Sequence, residues 1–171
     1  MSRAQCRTTL MAAAVFAVYC WPAAAAAERP VIGYIEGVRV YPGDAHFEAK
    51  IDSGADNSSI DVGPVEEFQR DGGNWVRFTL TDDDGRKVSV ERPVARITTI
   101  RRSGTGSQKR YVVDMGVCLG GHFKEAPVNL NHRPGMKYKM LIGRSFLGDA
   151  FFIDASSKNL TKPECPGAPR P

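Results

Sequence analysis

From residue 31 onward, apolar and polar side chains alternate with a period of two, and the helical period hardly occurs. Phe47, Ala49 and Ile51 are separated by Glu48 and Lys50. Alternation of that kind puts one face of a strand in a core and the other in water. Val76, Phe78 and Leu80 repeat the pattern, as do Val88 and Val90, with the turn Asp82-Asp83-Asp84-Gly85 between the two runs. Those runs read as a hairpin. The longest case, Tyr111, Val113, Met115, Val117 and Leu119, ends at Gly120-Gly121. Val31–Arg39 reads as the first strand and Phe151–Asp154 as the last. The best helical candidate is one turn or two at Arg144–Gly148. Short strands joined by Gly-, Asp- and Pro-rich turns specify an all-β fold, a closed barrel or a sandwich, with one short C-terminal helix.

The start of the chain follows a different rule. Arg3 and Arg7 precede an apolar run from Leu10 to Trp21, and Ala25-Ala26-Ala27 follows. This is the layout of a cleavable secretory signal peptide, residues 1–27, and the run is too short for a spanning helix. Cleavage after Ala27 leaves 144 of 171 residues, enough for one domain at 28–161 and a tail at 162–171 with four prolines. The formal charge falls from +4 to +2, because Arg3 and Arg7 leave with the leader. A nucleic-acid partner thereby loses its electrostatic support, and no later stretch is apolar enough to span a bilayer. The expected location is the periplasm or the exterior.

Cys6 and Cys20 leave with the leader, so Cys118 and Cys165 remain in a compartment that permits disulfides. They either bridge, stapling the tail to a central strand, or stand as a buried Cys118 and a loose Cys165. Neither lies in a Cys-x-x-Cys or beside a His, so thiol catalysis has no support.

Two segments carry chemistry. In Ala49-Lys50-Ile51-Asp52-Ser53-Gly54-Ala55-Asp56 a hydrophobic strand runs into a turn that holds a carboxylate where the chain leaves the sheet. Gly54 permits unusual backbone geometry or close approach, and the Ser53 hydroxyl can bond across the turn. Alone, Asp-Ser-Gly is a common turn. The second segment is Met140-Leu141-Ile142-Gly143-Arg144-Ser145-Phe146-Leu147, a strand, a Gly, an Arg and a short helix.

The pair, with Ala55 and Gly143 88 positions apart, resembles the retropepsin class of aspartic proteases. It is similar above all to the bacterial retropepsin-like family also labelled ATP-dependent zinc protease. Val31-Ile32-Gly33, Leu119-Gly120-Gly121, Leu130-Asn131-His132-Arg133 and Met136 through Leu147 extend the likeness across most of residues 31–156. The resemblance implies that Asp52 is catalytic and that Ser53 and Gly54, followed by Ala55, brace two facing loops. It also implies that Asp56 and Arg144, beside Gly143, form an ion pair holding the loop on the helix. An Arg fork suits that task, because it can take a carboxylate bidentately.

One carboxylate does not make an aspartic protease. The chemistry needs one ionised carboxylate to activate water and one protonated to bond the scissile carbonyl, sharing a proton as a coupled pair. Only one Asp-Ser-Gly-Ala exists here. The second Asp52 must come from another copy, giving a homodimer with the site on its two-fold axis, no metal and no cofactor.

A flap should cover such a site. The tip Ser103, Gly104, Thr105 and Gly106, between Ile97–Ile100 and Tyr111–Val113, is favoured over Asp82–Gly85, because the family's flap precedes the strand Tyr111–Leu119. Arg101, Arg102, Lys109 and Arg110 flank that tip. The family is linked with ligases that add glutamate, so an acidic peptide is the expected substrate. The zinc and ATP of the family label find no counterpart, since His46, His122 and His132 are scattered and no Gly-rich Lys-Ser/Thr loop exists. A rival reading is a catalytically silent β-barrel that binds peptides or proteins as an adaptor. It draws on Ser in place of Thr at 53 and on the long insertion before the flap.

Overall fold

The computed structural model describes residues 29–102, 106–132 and 135–169. The leader 1–27 and the tip residues Ser103, Gly104 and Thr105 lie outside them. Among the described residues, twelve strands and one helix occur in chain order: β1 (Val31–Gly33), β2 (Ile35–Tyr41), β3 (Ala45–Ile51), β4 (Ser58–Asp61), β5 (Glu66–Arg70), β6 (Gly73–Thr81), β7 (Lys87–Pro93), β8 (Arg96–Arg102), β9 (Gly106–Leu119), β10 (His122–Asn131), β11 (Met140–Ile142), α1 (Arg144–Leu147) and β12 (Phe152–Asp154).

Six strands form a closed ring in the order β10–β4–β11–β3–β2–β9, and the β9–β10 pairing completes the circle. Closure removes the free edges that an open sheet would expose. β8 extends β9 outside the ring, β5–β6–β7 form a separate three-stranded sheet, and β1 pairs with β12 as a parallel ribbon. The all-β barrel and its short C-terminal helix follow the sequence pattern.

The alternation of β3 is complete: Ala45, Phe47, Ala49 and Ile51 are buried, and the residues between them are exposed. They meet Val38 and Val40 of β2, Met115 and Val117 of β9, Val128 and Leu130 of β10, and Phe146 and Leu147 of α1 in one core. Val76, Phe78, Leu80 and Val90 join the outer sheet to that core.

Two expectations are corrected. Val31–Arg39 is not one strand, since the chain breaks at Tyr34 between β1 and β2. Nor is β9 one-sided, because Val112, Gly116 and Cys118 are buried as well as their neighbours. Phe123 and Tyr41 cover that second face at Gly116, and the tail covers it at Cys118. Cys118 and Cys165 are joined by a disulfide with Cα atoms 5.9 Å apart. The tail's first residues are therefore fastened to the barrel rather than left without a packed surface.

Candidate active site

The site is assembled by two parallel strands. β3 and β11 pair in register, Ala49 with Met140 and Ile51 with Ile142. Parallel neighbours end at the same edge of a sheet, so the Asp52 loop and Gly143-Arg144 emerge side by side. The Asp52 N–H donates to the Ile142 carbonyl at 2.9 Å. Beyond it the chain turns tightly, with Ala55 N–H on the Asp52 carbonyl at 3.2 Å and Gly54 N–H on Asp52 Oδ1 at 3.0 Å.

The second segment pins this loop from several sides. Arg144 N–H donates to the Ala55 carbonyl at 2.9 Å, and Ser145 N–H to the Asp56 carbonyl at 2.8 Å. The Arg144 guanidinium bonds the Ser53 carbonyl at 2.8 Å through one nitrogen and the Asp56 carboxylate through the other. Arg144 and Asp56 are both well exposed, so the ion pair adds little by itself. Its weight lies in geometry, since one planar fork fixes two points of the loop at once.

The glycines serve by approach. A Cβ on Gly143 would stand 2.6 Å and 2.7 Å from the Asn57 carbonyl carbon and oxygen, so the strand end and the loop meet backbone to backbone. Gly54 is not among the left-handed glycines, and the geometry it allows is closeness, a Cβ there falling 3.2 Å from Asp52 Oδ1. It is the Ser53 carbonyl, not the hydroxyl, that the structure engages. Ser53 and Gly54 are exposed and Asp52 is half-buried, so the loop tip forms an open face.

Sequence reasoning missed Ser58, whose buried Oγ accepts the Gly143 N–H at 3.1 Å. A serine in a polar run gives no sign of such a role. It also missed the tie between Ile51 and Tyr34, an N–H to carbonyl bond of 3.0 Å that supports the residue before Asp52.

Of the two hairpins considered as a flap, that at Asp82–Gly85 is tied down. Asp82 is buried and accepts from Arg86 N–H at 2.7 Å, Asp83 N–H bonds the His46 carbonyl at 3.1 Å, and Lys139 Nζ bonds the Asp82 carbonyl at 2.6 Å. The β8–β9 hairpin includes Gly106 at the start of β9, and its base is braced on β5. Lys109 Nζ lies 2.9 Å from Glu67, and the Tyr111 hydroxyl donates to the same oxygen. Of the four flanking cations, Lys109 is thus engaged by Glu67 and Arg110 is buried.

Several carboxylates are held below the ordinary range. Hydrogen bonds from Tyr111 and then Lys109 lower Glu67, and those from Arg77 and then Arg70 lower Glu91. Hydrogen bonds from the Ser156 and Ser157 side chains and the Ser156 N–H bring Asp154 to about 2. A lowered carboxylate favours the folded state above the unfolded pKa and loses that contribution as pH falls through the folded one. All three groups lie at the surface, so solvent screening keeps that contribution small.

The histidines have separate duties. His46 Nε2 accepts from Arg39 Nε at 3.0 Å, His122 packs edge-on to Phe146 and Phe151, and His132 Nδ1 lies 3.1 Å from the Val62 carbonyl. Among the described residues no three His, Cys, Asp or Glu side chains converge as a metal site.

A closed β-ring that brings a strand-Asp-Ser-Gly-Ala loop onto a strand-Gly-Arg-helix segment defines a retropepsin-like lobe. The chain belongs to the RimB-like family, described as retropepsin-like aspartic endopeptidase RimB, whose family model matches residues 31–164. It is 36% identical over 113 residues to a protein named "Probable alpha-L-glutamate ligase" from Shewanella pealeana, covering 64% of this chain and 25% of that one. A protein of the same name from Desulfotalea psychrophila is 34% identical over 111 residues, 63% of this chain and 24% of the other. The chain thus spans about a quarter of the length of these relatives. A crystal structure of a Legionella pneumophila protein of unknown function superposes with a TM-score of 0.68 at 26% identity, covering 79% of this chain and all of that one.

Proposed function

We infer that the protein is an exported aspartic endopeptidase that hydrolyses peptide bonds as a homodimer, with water activated between two Asp52 carboxylates. The observation that carries this reading is the Asp52 loop. It is pinned by Ile142, Arg144 and Ser145, while its tip, Ser53 and Gly54, stays open. An exposed, rigid half-site suits a second copy facing it across a two-fold axis. The exposed Ser53 hydroxyl is then available to the facing loop.

Exposed apolar side chains at Tyr34 and in the β1–β12 ribbon favour the same arrangement. Tyr34, bonded to the residue before Asp52, is exposed, and so are Val31 and Phe152, register partners in the β1–β12 ribbon, and Ile153. Large exposed apolar side chains are the raw material of an association surface. The disulfide supports export, since such bonds persist in oxidising compartments.

Acidic, glutamate-rich peptides are the proposed substrates, because the ligases that share this region are named for glutamate. The test compares hydrolysis of a glutamate-rich peptide and a neutral peptide of equal length at mildly acidic pH, read by mass spectrometry of the products. The expected result is cleavage of the acidic peptide with a kcat/KM about tenfold or more above the neutral one. Equal rates would remove the acidic preference, and no hydrolysis of either by a sedimenting dimer would favour the silent adaptor.

A further inference from the structure

Glu36 is the second residue of β2, just after the break at Tyr34, and is completely buried. Burying a carboxylate costs several kcal/mol in general unless its oxygens are satisfied, so such a group requires an account. Here each oxygen accepts two bonds. Oε1 takes Gly33 N–H at 2.6 Å and Leu160 N–H at 2.9 Å. Oε2 takes Thr161 N–H at 3.0 Å and the Thr161 hydroxyl at 2.9 Å. Acceptance from four donors is what a carboxylate offers and a carboxamide does not.

The donors come from two segments far apart in sequence, the end of β1 and the strap that follows β12. The strap runs directly against the break between β1 and β2. Tyr34 N–H donates to the Ser157 carbonyl at 2.8 Å, and Asn159 N–H to the Ile35 carbonyl at 2.8 Å. A Cβ on Gly33 would stand 2.4 Å from the Ser157 carbonyl oxygen, so only glycine admits the strap here. Glu36 therefore fixes the bend at Gly33-Tyr34 from inside while the strap fixes it from outside.

That bend touches the candidate active site through one bond. The Tyr34 carbonyl accepts the Ile51 N–H at 3.0 Å, and Asp52 follows Ile51. Building on the proposed proteolytic role of Asp52, we propose that Glu36 is a positioning residue for Asp52. It acts through the Tyr34 carbonyl and makes the C-terminal strap part of the active-site support. Glu36 touches no substrate. It holds the main chain that sets where the Asp52 carboxylate stands, and misplacement on the ångström scale is costly to catalysis.

Two variants test this, Glu36→Gln and Thr161→Val, the latter removing only the hydroxyl donor. Native-state amide exchange is measured far below the melting temperature at Gly33, Ile51, Leu160 and Thr161, with Met115 and Val128 in the barrel as references. In Glu36→Gln, exchange at all four, Ile51 included, is expected to rise about tenfold or more over the references. Thr161→Val should move the same set less. In parallel, kcat should fall about tenfold with KM within about twofold.

Faster exchange at Leu160 and Thr161 with Ile51 unchanged would overturn the proposal, because the clasp would then hold only the strap. Equal acceleration at Met115 and Val128 would also overturn it, as general destabilisation. The exchange of Ile51 is read without any activity, so a failure of the proteolytic reading shows itself separately, as hydrolysis that persists in Asp52→Asn.

Discussion

Replacing Asp52 by Asn is expected to abolish peptide hydrolysis, with a loss of about a thousandfold or more, while the fold and the dimer persist. The magnitude follows from removing the group that both takes and returns the proton of the attacking water. The fold should survive because Asn keeps the shape of Asp, and its amide oxygen can still accept the Gly54 N–H that Asp52 Oδ1 accepts at 3.0 Å. The ties from Ile142, Ala55 and Arg144 are made by main-chain atoms or by neighbouring residues, and the substitution leaves them alone. Association should even tighten at neutral pH. Two carboxylates in contact cannot both ionise without repulsion, and two amides carry no such cost. Circular dichroism and sedimentation equilibrium of the variant check both halves. A variant that cleaves as the wild type does would refute the assignment of Asp52.

The second large effect belongs to the disulfide. A bond between Cys118 and Cys165 closes a loop of 47 residues, and the chain-entropy account of such a loop gives about 4 kcal/mol at 25 °C. The double variant Cys118→Ser, Cys165→Ser should therefore lose about 2–4 kcal/mol in urea denaturation. Wild type treated with a reductant should lose a similar amount, and the double variant should be insensitive to it. Cys118 lies fully buried on β9, so the hydroxyl it becomes adds a small desolvation cost in the same direction. An unchanged midpoint in both experiments would show that the bond contributes nothing to the stability of the folded state. The Glu36 clasp holds the strap at Leu160 and Thr161, upstream of the bond. The strap should therefore stay docked after reduction, with only residues beyond it released.

The strands that face the core on one side only were legible in the sequence. β3 shows it plainly, because its outer face meets solvent and polar residues mark it. Where a strand lacks one of the two environments, the signal fails. β5, Glu66–Arg70, is exposed at four of five positions and carries no alternation to mark it. β9 is buried on both sides where the tail crosses it, so its apolar run understated its role. The break at Tyr34 was hidden for a different reason. It is imposed by Glu36 and by the strap more than 120 residues away, and no local pattern carries that information.

The site was legible to the extent that its ties are local or belong to a recognisable motif. The Asp52 loop, Gly143 and Arg144 stood out by residue type and spacing. Their convergence needed only the parallel pairing of β3 with β11. Ser58 and Tyr34 contribute through one hydroxyl and one carbonyl, and a carbonyl is common to every residue. Glu36 resembled any solvated strand carboxylate until its four donors were visible.

The central claim is that one chain carries half of an active site, and subunit mixing tests it most directly. Wild type and Asp52→Asn subunits are combined at fixed total concentration and allowed to exchange until tagged and untagged copies co-purify in statistical proportion. If two Asp52 side chains share each site, mixed dimers are inactive and activity follows the square of the wild-type fraction, falling to about one quarter at equal mixing. Activity that falls linearly, to about one half, would mean that each chain works alone and would contradict the account.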